Sequence, residues 1–215
     1  MIRPQVDRPP PLVVKVGGGL LSDQGLEGLR RACTEATEIA ARRPVLVVPG
    51  GGPFADAVRA LDGRVGLDDA TAHALALRAM DQLGVLLGPL LPAAELIADL
   101  VAPRALALLQ VAPAFTGRPG VPESWTVTSD SLAVLAAAAI GADEAVLLKP
   151  TDGVLAQWPS DDAPLPALTA DELHALQAHG GARAVDAYLP EAVRRTGVVV
   201  VVRAPGGRGT RITPG

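Results

Sequence analysis

The sequence predicts an α/β fold built on a mostly parallel sheet with helices on both faces. Three observations lead there: short valine-rich runs, segments whose apolar residues recur every three or four positions, and alternation of the two along most of the chain. PLVVKV at 11–16 reads as a buried strand ending in glycines. Ser22 is placed to cap a helix in which Leu26, Leu29, Cys33, Ala36 and Ala40 form one apolar stripe. VLVVP at 45–49 is a second buried strand, opening into GGGPFADAVRAL with a helix starting near Pro53. A long helix from about Asp68 to Leu87 carries His73, Leu77, Met80, Gly84 and Leu87 on one side, a small apolar surface that suits a subunit interface. A short helix near 93–101, a strand at 105–111 and an irregular loop from Pro113 to Ser124 follow. TSDSLAVLAAAAIGA predicts a capped helix ending at Gly141, then a strand at 144–149. Residues 152–168 read as loop, and helices near 170–179 and 185–196 precede a last strand at 198–203 and a glycine-rich tail. With no fixed-period repeat and no linker, residues 1–215 are expected to form one domain.

Composition narrows the function classes. A net charge of −4 and 2% aromatic content provide neither a basic stripe for phosphodiester backbones nor a stacking platform, so nucleic acid is not an expected partner. The single cysteine, Cys33, cannot form an internal disulfide and reads as core. The apolar run Leu83 to Leu91 is interrupted by Gly84, Gly88 and Pro89 and falls short of the roughly 20 residues of a bilayer span. With no signal-type leader, the expectation is a cytoplasmic enzyme without a membrane segment.

Of 19 basic side chains only two are lysines, Lys15 in LVVKVGGGL and Lys149 in AVLLKPTDGV, each where an apolar strand runs into a turn. An ammonium is a compact point charge suited to a phosphoryl oxygen, whereas arginine carries the ordinary surface charge here. Glycine runs at 17–19 and 50–52 each follow a strand and precede a helix, where backbone N–H groups and a helix dipole favour an anion. Gly17 and Gly18 are expected to donate amides to one phosphate, and Gly51 and Gly52 to another. A Walker-type P-loop is excluded by the absence of G-x-x-x-x-G-K-S/T, and no G-x-G-x-x-G ends a strand. The pattern is that of a phosphate-handling enzyme.

KVGGGLL at 15–21, PGGGPFADAVR at 49–59, TSDSLAVLAAAAIGADEAVLL at 128–148 and DGV at 152–154 resemble, in order and spacing, the amino acid kinase superfamily. Within it, HALALRAMDQLG at 73–84, SWTVTSDSL at 124–132 and AVDAYLP at 184–190 resemble the kinases of methanofuran-type cofactor biosynthesis. The resemblance implies a three-layer αβα sandwich, with the phosphoryl acceptor over about 11–125 and ATP over about 126–215. It implies an ATP-dependent phosphotransferase, with 5-(aminomethyl)-3-furanmethanol phosphate converted to its diphosphate. Lys15 would contact the transferred group, and Asp130, of the S-D pair with Ser129, would orient its ammonium. Asp152 and Gly153 match the family's nucleotide-binding D-G pair. Relatives usually read LL-T-D-x-D-G-V where this chain reads LLKPTDGV; Lys149 is then expected to reach the ATP β- or γ-phosphate.

An acceptor that is both a phosphate monoester and an ammonium calls for a cation at one end and a carboxylate at the other. Arg59 is the candidate for the phosphate, Asp56 or Asp81 for the amine, with Ser129 on the same side, Trp125 as a pocket wall or core filler and His73 as a core residue. Mg²⁺ is expected to arrive on the nucleotide, since neither H-E-x-x-H nor clustered cysteines occur. A homo-oligomer is expected. Two other readings stay open: another small-molecule kinase of the superfamily, taking isopentenyl phosphate, a nucleoside monophosphate or an amino acid, and a non-catalytic nucleotide-binding or storage protein. Ala-Asp after GGGPF, where isopentenyl phosphate kinases carry Gly-His, counts against the first of those acceptors.

Overall fold

The computed structural model describes residues 9–157, 160 and 162–215. Strand β1 (Leu12–Val16) leads into helix α1 (Gly19–Ala40), and β2 (Val45–Pro49) into α2 (Gly52–Val65) and α3 (Asp69–Leu87). Edge strand β3 (Glu95–Ile97), β4 (Leu106–Leu109) and the short helix α4 (Val111–Phe115) complete the first half. The second half comprises α5 (Ser129–Ala139), β5 (Glu144–Leu148), β6 (Ala167–Thr169), α6 (Ala170–Ala178), α7 (Leu189–Thr196), β7 (Val199–Arg203) and β8 (Thr210–Thr213).

These strands form one eight-stranded sheet in the order β3-β4-β2-β1-β5-β7-β8-β6, parallel except between β7 and β8. Being covered on both faces, β1 and β2 are buried at every position, which is why their sequences are continuous apolar runs. Alternation along β1 sends Leu12, Val14 and Val16 to the α1 face, beside Leu29, Ala32, Cys33 and Ala36. Val13 goes to the opposite face, with Leu132, Ala133 and Ala136 of α5. Lys15 shares the parity of Val13, so its ammonium is directed toward α5. The chain's first four strands lie on one side of the β1–β5 seam and the last four on the other. The strand order therefore reverses beside β1, the position at which open α/β sheets leave a crevice past the strand ends.

The expected α/β class and mostly parallel sheet are found, with five local differences. The stretch 93–101 holds strand β3 rather than a helix, because pairing with β4 overrides the helical preference of Ala93, Ala94 and Glu95. The segment read as irregular from Pro113 lies partly in α4, where Pro113 occupies the first turn and its missing N–H leaves no helix bond unmade. The glycine-rich tail returns as β8 through an antiparallel pairing with β7, and the loop after Gly153 ends in β6. Ser22 does not cap α1; the helix begins at Gly19, and Gly25 (φ 63°, ψ −155°) breaks it one turn later. Residues 158, 159 and 161 of the expected loop, and 1–8 of the proline-rich start, lie outside the described residues.

The stripe of α3 suggested for a subunit interface (His73, Leu77, Met80, Gly84, Leu87) is buried in the chain itself. Among the described residues no helix is long and apolar enough to cross a membrane.

Candidate active site

The two glycine turns touch each other. A Cβ on Gly18 would lie 2.0 Å from the Gly52 nitrogen, so a side chain at either position would wedge the turns apart. Gly52 also has a φ of 51°, which favours glycine. α1 and α2 start at these turns with Gly18 and Gly51 as N-caps and no side-chain cap. Among the described residues the amides of Gly18, Gly51 and Gly52 have no acceptor. They are the unpaired donors of two helix starts, a ready anion site. Gly17 behaves differently from expectation, since its N–H donates to the Leu148 carbonyl at 2.8 Å and ties β1 to β5. Its role is close approach, because a Cβ there would sit 2.6 Å from that same oxygen.

Both lysines meet one carboxylate. Lys15, only 3% exposed, places Nζ 2.9 Å from Asp130 Oδ1, and Lys149 Nζ donates to Asp130 Oδ2 at 2.8 Å. The Lys15 contact is an ion pair without the alignment of a directed hydrogen bond. Asp130 stands in the first turn of α5, held by a residue that sequence reading missed. Asp186 accepts from the Thr128 and Ser131 amides at 2.9 and 3.0 Å and from both hydroxyls, capping α5 from 58 and 55 residues away. Its own N–H donates to Asp130 Oδ2 at 3.2 Å. The one sequence signal was its place in AVDAYLP, where no helix of its own needed that cap.

Burial lowers the Lys15 pKa to about 8, Asp130 opposing the shift and Lys149 adding to it. Burial pushes Asp130 upward, yet Lys149 and Lys15 together bring it down to about 2. Asp186 is raised by burial and by the Asp130 charge, partly offset by its bonds to Ser131 and Thr128.

Two cavities of about 440 Å³ each abut this cluster. The one over the first half is lined by Gly18, Gly51, Gly52, Asp56, Arg59, His73, Trp125 and Ser129. The one over the second half is lined by Gly17, Asp23, Pro150, Thr151, Gly153 and Leu155. Lys15, Gly19, Lys149 and Arg183 line both. Arg59 lies 4.6 Å over the Trp125 ring and pairs with Asp56 at 2.8 Å, while Trp125 Nε1 donates to Asp62 at 2.7 Å. Trp125 is therefore a pocket wall. His73 is 5% exposed with no partner for Nε2 among the described residues; burial lowers its pKa against the pull of Glu123 and Ser124, which favours the neutral ring.

Two expected site residues stand elsewhere. Asp152 is exposed and lines neither cavity, its Oδ1 lying beside the Gly207 turn. Asp81 faces a separate cleft and accepts from the Val111 and Ala112 amides at 2.5 and 3.2 Å, so it caps α4. Asp81→Ala is expected to cost about 1–2 kcal/mol in denaturant unfolding through the lost cap and to leave the acceptor KM unchanged. A raised KM at full stability would return Asp81 to the acceptor site.

Cations gathered where two cavities join, beside bare helix starts, define a phosphotransferase. Residues 10–204 match the amino acid kinase family, and the chain belongs to that family and is a kinase. It is similar to the [5-(aminomethyl)furan-3-yl]methyl phosphate kinase of Methanocaldococcus jannaschii, 26% identical over 154 residues that cover 68% of this chain and 69% of that protein. Its fold is shared with the uridylate kinase of Archaeoglobus fulgidus, at 21% identity and a TM-score of 0.70 over 94% of this chain and 99% of that one. The aspartate kinase of Synechocystis shares it too, at 19% identity and a TM-score of 0.72 over 95% of this chain and 40% of that one.

Proposed function

We propose that the protein transfers the γ-phosphoryl group of ATP to the phosphate of a small phosphate monoester, with 5-(aminomethyl)-3-furanmethanol phosphate as the acceptor. The observation that carries this is Asp130 held between two ammonium groups at the junction of the two cavities. The acceptor identity is supported by the likeness to the M. jannaschii enzyme and by a first-half cavity with a cation, a carboxylate and an aromatic wall in Arg59, Asp56 and Trp125.

The acceptor phosphate, doubly ionised above its second pKa of about 6, supplies its own nucleophilic oxygen. A bond forms from that oxygen to Pγ, the bond from Pγ to the β,γ-bridging oxygen breaks, and ADP leaves with the electron pair. Charge balances without a proton: ATP⁴⁻ and a phosphate dianion give ADP³⁻ and a diphosphate trianion. No general base is needed, and Asp130, with its pKa near 2, serves as none. Its work is to hold Lys15 and Lys149 against the oxygens on which charge grows. Amides of Gly18, Gly51 and Gly52 receive the acceptor phosphate, and Gly153 borders the nucleotide. Mg²⁺ would come with ATP, neutralising charge across its phosphates, and Asp23 is the carboxylate lining that cavity. The reading includes a cytoplasmic homo-oligomer.

The test is incubation with MgATP and a panel of phosphate monoesters with and without an amine, scored for ADP and diphosphate product. Turnover confined to the aminomethylfuran phosphate is the expected result. Preference for a nucleoside monophosphate or isopentenyl phosphate would reassign the acceptor, and ATP binding without ADP under every acceptor would favour a storage protein.

A further inference from the structure

We infer that Arg183 is a third cation of the transfer site, its guanidinium closing on the phosphoryl group in transit; this rests on the kinase reading above. Three non-glycine residues line both cavities, Lys15, Lys149 and Arg183, and all three carry positive charge. The group being transferred must pass through that shared wall. One of the two ammonium charges there is cancelled by their shared support, since Lys15 and Lys149 both pair with the single carboxylate of Asp130. Such a cluster is well organised but keeps only a single net positive charge, whereas charge spread over several phosphoryl oxygens calls for more positive potential. Arg59 cannot supply it, being in the first-half cavity only and bound to Asp56 and Trp125.

The backbone under Arg183 is fixed on both sides. Ala182, the only non-glycine residue with positive φ (51°) among the described residues, is buried and donates its N–H to the Leu155 carbonyl at 3.1 Å. A non-glycine residue held in that region marks a segment whose surroundings over-determine it. Gly181 lies so close to Ala156 that a Cβ would meet its carbonyl oxygen at 2.1 Å. On the other side, Asp186 donates to Asp130, and its carbonyl accepts from Gln177 Nε2 at 2.9 Å. Between these anchors the Arg183 side chain is exposed, and its one bond among the described residues runs from Nε to the nearby Gly180 carbonyl at 3.2 Å. The terminal nitrogens, with their planar fork, suit two oxygens of one phosphoryl group.

The test compares Arg183→Ala and Arg183→Lys with the parent enzyme, using MgATP and an acceptor that the parent turns over. Arg183→Ala is expected to lower kcat about 10²- to 10³-fold with both KM values within a few-fold and melting unchanged. Added guanidinium ion should restore part of that loss, which a merely structural role would not allow, and Arg183→Lys should fall between. Retained kcat in Arg183→Ala, or a loss confined to KM for ATP, overturns the assignment while leaving the kinase reading intact. A parent enzyme that forms no ADP with any acceptor overturns both.

Discussion

Asp130→Asn is expected to lose about 3–5 kcal/mol of stability and to abolish turnover. Asparagine keeps the volume but removes the charge that both buried ammoniums face, leaving like charges together in a site where Lys15 is 3% exposed. In a chain of this size the loss corresponds to a fall in Tm of about 10 °C. Asp130→Asn combined with Lys149→Met should recover part of the stability but no activity, and the coupling from the double-mutant cycle measures the pair. A stability loss below about 1 kcal/mol would mean that the ammoniums reach water, contrary to the ion-pair geometry described above. Asp130 also sets an acid limit. Its folded pKa, about 2, lies below the unfolded value of 3.8, so its contribution is fully present above 3.8 and disappears as pH falls toward 2.

The parts of this site that depend on local chain chemistry were legible in the sequence, and those that depend on distant pairing were not. Lys15 and Lys149 stood out because lysine is scarce and both end strands, and both glycine runs were read correctly as turns before helices. Which amides are left without an acceptor was not readable, because Gly17 is tied to Leu148, whose position beside β1 depends on the parallel β1–β5 register. The two aspartates were exchanged for a related reason. Asp81 and Asp186 cap helices 30 and 55 residues away, and no local pattern says which helix start a carboxylate will find. At the sheet edges, β3 and β8 are strands by virtue of their partners β4 and β7 rather than of their own composition. No local pattern singles out Arg183, because it is set apart only by lining both cavities.

Lys15→Met should separate catalysis from stability by moving them in opposite directions. The variant is expected to lower kcat about 10³-fold, the effect of deleting a charge-stabilising donor at the transfer point. It keeps the apolar stem and leaves Asp130 paired with Lys149. Its stability should be unchanged or higher, because a pKa lowered from 10.5 to about 8 means that the folded state disfavours the charged form. The sign follows from proton binding: between those two values the unfolded chain holds more protons at this group, so the parent enzyme's stability rises as pH increases from 8 to 10.5. Activity runs the other way, since the neutral amine cannot stabilise a phosphoryl oxygen, and kcat/KM should fall above about pH 8. Bound phosphates favour the ammonium, so the fall in kcat should come at a higher pH than the fall in kcat/KM. Lys15→Arg should not restore turnover, because a planar guanidinium on a longer side chain cannot reproduce the compact ammonium that sits 2.9 Å from Asp130 Oδ1. An alkaline limb that persists in the residual activity of Lys15→Met would assign that titration to another group.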